Sequence, residues 1–136
     1  MTYIEIVTAQ LRVDEGVRAK PYRDTVGKLT IGVGRNLDDV GLRPDEIDYL
    51  LANDVRVAKD TAETLFANFH ALSDERKAVL INMALNLGQT RLAKFARFRA
   101  AVTTGNFALA AIEMLDSAWA VQVGDRANRL AEKMKG

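Results

Sequence analysis

The apolar residues at the start of the chain recur at helical spacing. Ile4, Val7, Leu11 and then Glu15 fall at i, i+3, i+7 and i+11, on one face at roughly 100° per residue. Thr2 with Glu5 makes a capping-box pattern before them, and Gly16 can take the left-handed conformation that ends a helix. The period then changes. Pro21-Tyr22-Arg23 reads as extended chain, and Asp24-Thr25-Val26-Gly27 as a turn with aspartate first and glycine fourth. Lys28-Leu29-Thr30-Ile31 alternates as a half-buried strand does. Asn36 to Gly41 is polar and turn-like. Pro44 then opens a long helix, with Asp45 and Glu46 at its positive end. Ile47, Leu50, Leu51, Val55, Ala58, Ala62, Leu65 and Phe66 keep near-helical spacing to about Asn68.

The rest reads as shorter helices. Ser73 is an N-cap candidate before Val79, Leu80, Met83, Ala84 and Leu87, an apolar segment that reads as the central core helix, with Gly88 ending it. Thr90 is the cap candidate for a helix containing Leu92, Phe95, Phe98 and Val102. Gly105-Asn106 separates it from one containing Leu109, Ile112 and Leu115. Ser117 and Asp125 are cap candidates for the last two. The pattern predicts an α+β, mostly α chain: a small hairpin lobe over about 16–43, a linking helix over about 44–68, and a larger helical lobe over about 69–136 plus the N-terminal helix 2–15. No repeats or linkers interrupt it.

Composition narrows the chemistry. At 136 residues the chain suits one domain. It has no cysteine, so neither a disulfide framework nor a thiolate site is expected, and no metal site. The lone histidine, His70, argues against a histidine-based triad and reads as a loop or surface residue. No secretory signal pattern opens the chain and no run of ~18 apolar residues could span a membrane. A net charge of +1 does not suggest a nucleic-acid partner. Residues 91–136 carry eight Lys/Arg against four Asp/Glu. Their cluster of Arg91, Lys94, Arg97 and Arg99 reads as a solvated helix face or as attraction to an anionic cell wall.

The candidate chemistry lies in the first thirty residues. Glu15 ends an apolar stripe at the negative end of a helix, and burial there would raise its carboxyl pKa, as a general acid needs. Alternatively it salt-bridges an arginine. Asp24 begins the hairpin turn and Thr30 lies on the returning strand. Two carboxylates in separate elements, one to protonate a leaving oxygen and one to handle water or developing charge, suit cleavage of a glycosidic bond.

Asp14-Glu15-Gly16, Tyr22-Arg23-Asp24-Thr25-Val26-Gly27 and Leu29-Thr30-Ile31-Gly32-Val33-Gly34 together resemble the signature of the phage-type lysozymes, family 24 of the glycoside hydrolases. The resemblance continues through Ile81-Asn82-Met83, Asn86-Leu87-Gly88 and Ser117-Ala118-Trp119 to Arg126-Ala127. It implies a lysozyme-like fold and hydrolysis of peptidoglycan between N-acetylmuramic acid and N-acetylglucosamine, with no cofactor. Glu15 would be the general acid, Asp24 and Thr30 would position water, and Arg126 would support Glu15. Gly34, Arg35 and Asn86 would contact substrate. Asn86 stands in place of a glutamine, Arg35 where some relatives have histidine, and Ala118 where some have arginine. Trp119 reads as a core anchor rather than a sugar platform. The connector before the long helix is shorter than in many relatives. Rival readings are a lytic transglycosylase, which needs Glu15 but no water-positioning Asp24, and a non-catalytic glycan binder. Because the wall lies across a membrane and no signal or anchor pattern is visible, the expectation is a monomer that waits in the host cytoplasm for release by a partner such as a phage holin, or that travels in a virion.

Overall fold

Thr2 starts the first helix: its hydroxyl accepts the Glu5 N–H at 3.2 Å. Helix α1 then runs Tyr3–Glu15 until Gly16 breaks it with a φ of 75°. The computed structural model of the protein describes all residues, 1–136. The chain divides into two compact units, Met1–Tyr49 and Leu50–Gly136.

In the first unit the α1 stripe is in register but is not buried. Ile4, Val7 and Leu11 remain 56%, 40% and 44% exposed, and Glu15 is exposed too. This corrects the expectation of a carboxylate sunk in an apolar face. The physical reason is that Thr30 is the only buried residue of this unit, so it has no core to receive a helix face.

Three antiparallel strands follow in the order β1 (Arg18–Arg23), β2 (Leu29–Gly32) and β3 (Arg35–Asn36). Tyr22 pairs with Thr30 and Arg23 with Leu29, and β2 pairs Thr30 with Asn36 and Ile31 with Arg35. The β1–β2 register slips between Arg18 and Tyr22, the stretch in which Pro21 has no N–H to donate. The predicted hairpin is present, and β3 extends it. Two residues are too few to show an alternating pattern.

Helix α2, Pro44–Leu65, begins in the first unit and ends in the second. It stops short of Asn68, which turns its side-chain amide to the Val102 carbonyl at 2.9 Å while Phe69–Ala71 form a single 3-10 turn. His70, in that turn, is exposed at the surface, 3.4 Å from Glu63.

The second unit continues with α3 (Asp74–Ala93), α4 (Ala96–Thr103), α5 (Phe107–Leu115), α6 (Ala118–Val123) and α7 (Asp125–Lys135). Ser73, Asn106 and Ser117 cap α3, α5 and α6 by accepting the N–H of Arg76, Leu109 and Ala120. Two expected caps are not made. Gly88, with a non-helical φ of 78° and ψ of 168°, ends the first helical stretch of α3 as expected; Thr90 lies inside the second stretch without capping it, Leu92 belongs to that stretch, and Phe95 precedes α4. Gly124 precedes α7, leaving Asp125 as its first residue with its carboxylate on Arg129 at 2.7 Å. Before Gly88, α3 buries one face, Val79, Leu80, Met83, Ala84 and Leu87, while Leu85 stays 44% exposed.

Helix α5 packs on α4 and α7, and α7 on α3 and α6. Between them Leu80, Met83, Leu92, Phe98, Met114, Trp119 and Met134 are shut from solvent. Trp119 is therefore a core anchor, and its indole N–H donates to Asn86 Oδ1 at 2.7 Å. Arg76, near the start of α3, clamps the end of α7. It donates to the carbonyls of Met134 and Lys135 at 2.7 and 3.0 Å and lies 3.7 Å from the Phe107 ring centroid. Arg76→Met should lower the unfolding free energy by about 1–3 kcal/mol, the typical worth of hydrogen bonds from a charged donor. A urea midpoint identical to the parent protein's would contradict this.

The basic cluster does not act as one face. Arg99 is drawn inward, donating to the carbonyls of Ala93 and Leu65. Lys94 and Arg97 line a cleft of about 380 Å³ together with Glu113 and Asp116.

Candidate active site

The turn that closes the β1–β2 hairpin is built on Asp24. Its Oδ1 accepts the N–H groups of Val26 at 3.0 Å and Lys28 at 2.8 Å. Its own N–H donates to the Lys28 carbonyl at 2.9 Å, and its carbonyl accepts from Gly27 at 3.0 Å. Aspartate suits the first position of such a turn because its short carboxylate reaches amides two and four residues on. One carboxylate oxygen is thereby fixed to the backbone, while Oδ2 carries no hydrogen bond from the protein. Thr30 engages the same residue from the other side: its hydroxyl donates to the Lys28 carbonyl at 2.9 Å. Lys28 thus ties Asp24 and Thr30 together through its two backbone groups. With its proton committed, the Thr30 hydroxyl has only acceptor capacity left.

Glu15 lies against the β2–β3 turn. A β-carbon built on Gly34 would stand 2.9 Å from Glu15 Oε2 and 3.0 Å from Cδ. Gly34 has a φ of 67°, in the region L side chains avoid. The glycine is therefore required twice, for its backbone and for the space the carboxyl group occupies. No lysine or arginine of the same unit comes within 4.0 Å of that carboxylate, so a local salt bridge does not account for Glu15.

Arg35, next to Gly34, is fully engaged. It grips Glu46 with two parallel bonds of 2.8 and 2.7 Å, and the Gly41 carbonyl accepts from Nη1 at 3.1 Å. Glu46 also accepts the Arg43 N–H at 2.8 Å. These bonds, the Arg35 guanidinium first and the Arg43 amide second, pull the Glu46 carboxyl from 4.5 down to about 2. A depressed carboxyl pKa contributes stability that is complete above the unfolded value and lost as pH falls through the folded one. The contribution of Glu46 should therefore be whole above pH about 4.5 and fade towards about 2. Urea midpoints of the parent protein and Glu46→Gln should converge over that window; a constant gap would show that ionisation of Glu46 is not responsible.

Of the residues singled out in the sequence, Glu15, Asp24, Thr30, Gly34 and Arg35 lie in the unit Met1–Tyr49. Asn86 and Arg126 lie in Leu50–Gly136, each with a partner of its own there. Asn86 Oδ1 holds Trp119, and Arg126 donates Nε and Nη2 to Asn82 Oδ1 at 3.0 and 2.6 Å. Sequence reasoning missed Lys28 as the link between Asp24 and Thr30, and Glu46 as the partner of Arg35. Lys28 acts only through its backbone, which leaves no trace in residue type.

Comparison with known proteins identifies the family of the chain. Residues 12–135 match the sequence model of a family described as Phage lysozyme. The chain is 29% identical over 149 aligned positions to a Dictyostelium discoideum protein named "Probable T4-type lysozyme 2", covering 88% of each chain. It is 27% identical to "Probable T4-type lysozyme 1" of the same organism, covering 93% of this chain and 92% of that one. The "Pre-baseplate central spike protein Gp5" of Enterobacteria phage T4 is 29% identical, over 88% of this chain but only 26% of the spike protein.

Proposed function

The chain belongs to the phage lysozyme family and is a glycoside hydrolase of lysozyme type acting on peptidoglycan, and from that premise we propose that it cleaves the β-1,4 bond between N-acetylmuramic acid and N-acetylglucosamine by direct attack of water. Glu15 gives its proton to the leaving oxygen. Asp24 Oδ2 takes a proton from the water, and the Thr30 hydroxyl accepts the water's other hydrogen, so a lone pair is aimed at the anomeric carbon. The observation that carries this reading is the shared anchorage of Asp24 and Thr30 on Lys28. It leaves Asp24 Oδ2 and the Thr30 hydroxyl oxygen with acceptor capacity, which suits them to hold a water. An inverting pair must leave room for that water, with its carboxyl groups about 6.5–9.5 Å apart.

Asn86 is proposed as a sugar contact through its side-chain N–H₂, since its oxygen is committed to Trp119. The test is the chemistry of the new ends released from purified peptidoglycan. Reducing N-acetylmuramic acid ends are expected. Anhydro-muramyl ends would show that the hydroxyl of the sugar itself, and not water, is the nucleophile.

A further inference from the structure

The chain from Arg35 to Glu46 is closed upon itself by four hydrogen bonds. Two form the Arg35–Glu46 fork, one joins Arg35 to the Gly41 carbonyl, and one joins the Arg43 N–H to Glu46. A fork-to-fork pair of this kind fixes direction as well as distance. Arg35 also pairs with Ile31 through the β2–β3 ladder and directly follows Gly34, the residue on which the Glu15 carboxyl group rests. Glycine restrains its own backbone less than any other residue. The conformation of Gly34 must therefore be held from its neighbours. On one side stands the strand β2; on the other stands Arg35, gripped by the first turn of α2.

We infer that Glu46, acting through Arg35, is a positioning residue for Glu15: the ion pair locks the Gly34 turn in the place that sets the Glu15 carboxyl group. The inference rests on the hydrolytic role proposed for Glu15. It requires no contact between Glu46 and sugar. A reacting group displaced by about 1 Å can cost on the order of a hundredfold in rate. The effect therefore belongs in kcat and not in KM.

Initial rates on soluble glycan strands, with thermal unfolding followed in parallel, test this. Glu46→Ala should lower kcat by on the order of ten- to a hundredfold with KM little changed. Glu46→Gln, which keeps an acceptor oxygen for Arg35 and Arg43, should recover part of the loss. Adding Arg35→Ala to Glu46→Ala should produce little further fall in kcat, because both act through one bond pair. A folded Glu46→Ala protein with the parent kcat would overturn the inference, as would a rise in KM at constant kcat. Should Glu46→Ala not fold, Glu46→Gln decides, and parental kcat in that variant is the contrary result. A parent protein that released no reducing ends would remove the hydrolytic reading and this inference with it. An active parent with unaffected variants removes the inference alone.

Discussion

Glu15→Gln should abolish glycan cleavage while leaving the protein folded. The amide keeps the size of the carboxyl group against Gly34 but has no proton acidic enough for a leaving alkoxide. A positioned general acid typically contributes 10²–10⁴-fold, so residual activity should fall to about a per cent or less. Stability should barely move. Glu15 is exposed and has no cationic partner in its own unit, and substitutions at such positions usually fall within about ±0.5 kcal/mol. Activity above a few per cent would take the acid's role from Glu15. Loss of the fold would make Glu15 a structural residue instead.

Gly34→Ala should be nearly as damaging, for a geometric reason. The added methyl would meet Glu15 Oε2 at 2.9 Å and Cγ at 3.1 Å, closer than carbon and oxygen atoms tolerate. The carboxyl group must therefore move. Alanine at a φ of 67° also costs about 1–2 kcal/mol of backbone strain. A shift of the acid by about 1 Å predicts a fall in kcat on the order of a hundredfold, alongside a modest drop in unfolding temperature. Gly105 gives the control. It too has a positive φ, but an added methyl there would meet nothing within 4 Å, so Gly105→Ala should show the strain without the loss of rate. Equal rate losses in both variants would show that turn strain, and not contact with Glu15, is responsible.

The hairpin is legible in the sequence because its chemistry is local. Asp24 and Gly27 are three residues apart and specify the turn between them; the pairing of Tyr22 with Thr30 follows from it. Caps at Thr2, Ser73 and Ser117 are legible for the same reason. Asp125 misleads because Gly124 takes the position before the helix, and a glycine offers no side chain to signal a cap. Periodicity places the α1 stripe correctly but says nothing about what covers it. The largest omission is Glu46. At the head of a helix it looks like a carboxylate answering the helix dipole, and only the folded loop brings it to Arg35. Arg35 and Asn86 are visible as departures from the pattern of relatives; their engagement with Glu46 and Trp119 is not.

The most direct test of the catalytic account is the configuration of the first product, read by proton NMR before mutarotation equilibrates it. If Glu15 protonates the leaving oxygen while Asp24 and Thr30 deliver water to the opposite face, the β bond must yield the α anomer first. First appearance of the β anomer, with a sugar covalently trapped on Asp24, would contradict the account and make Asp24 a nucleophile.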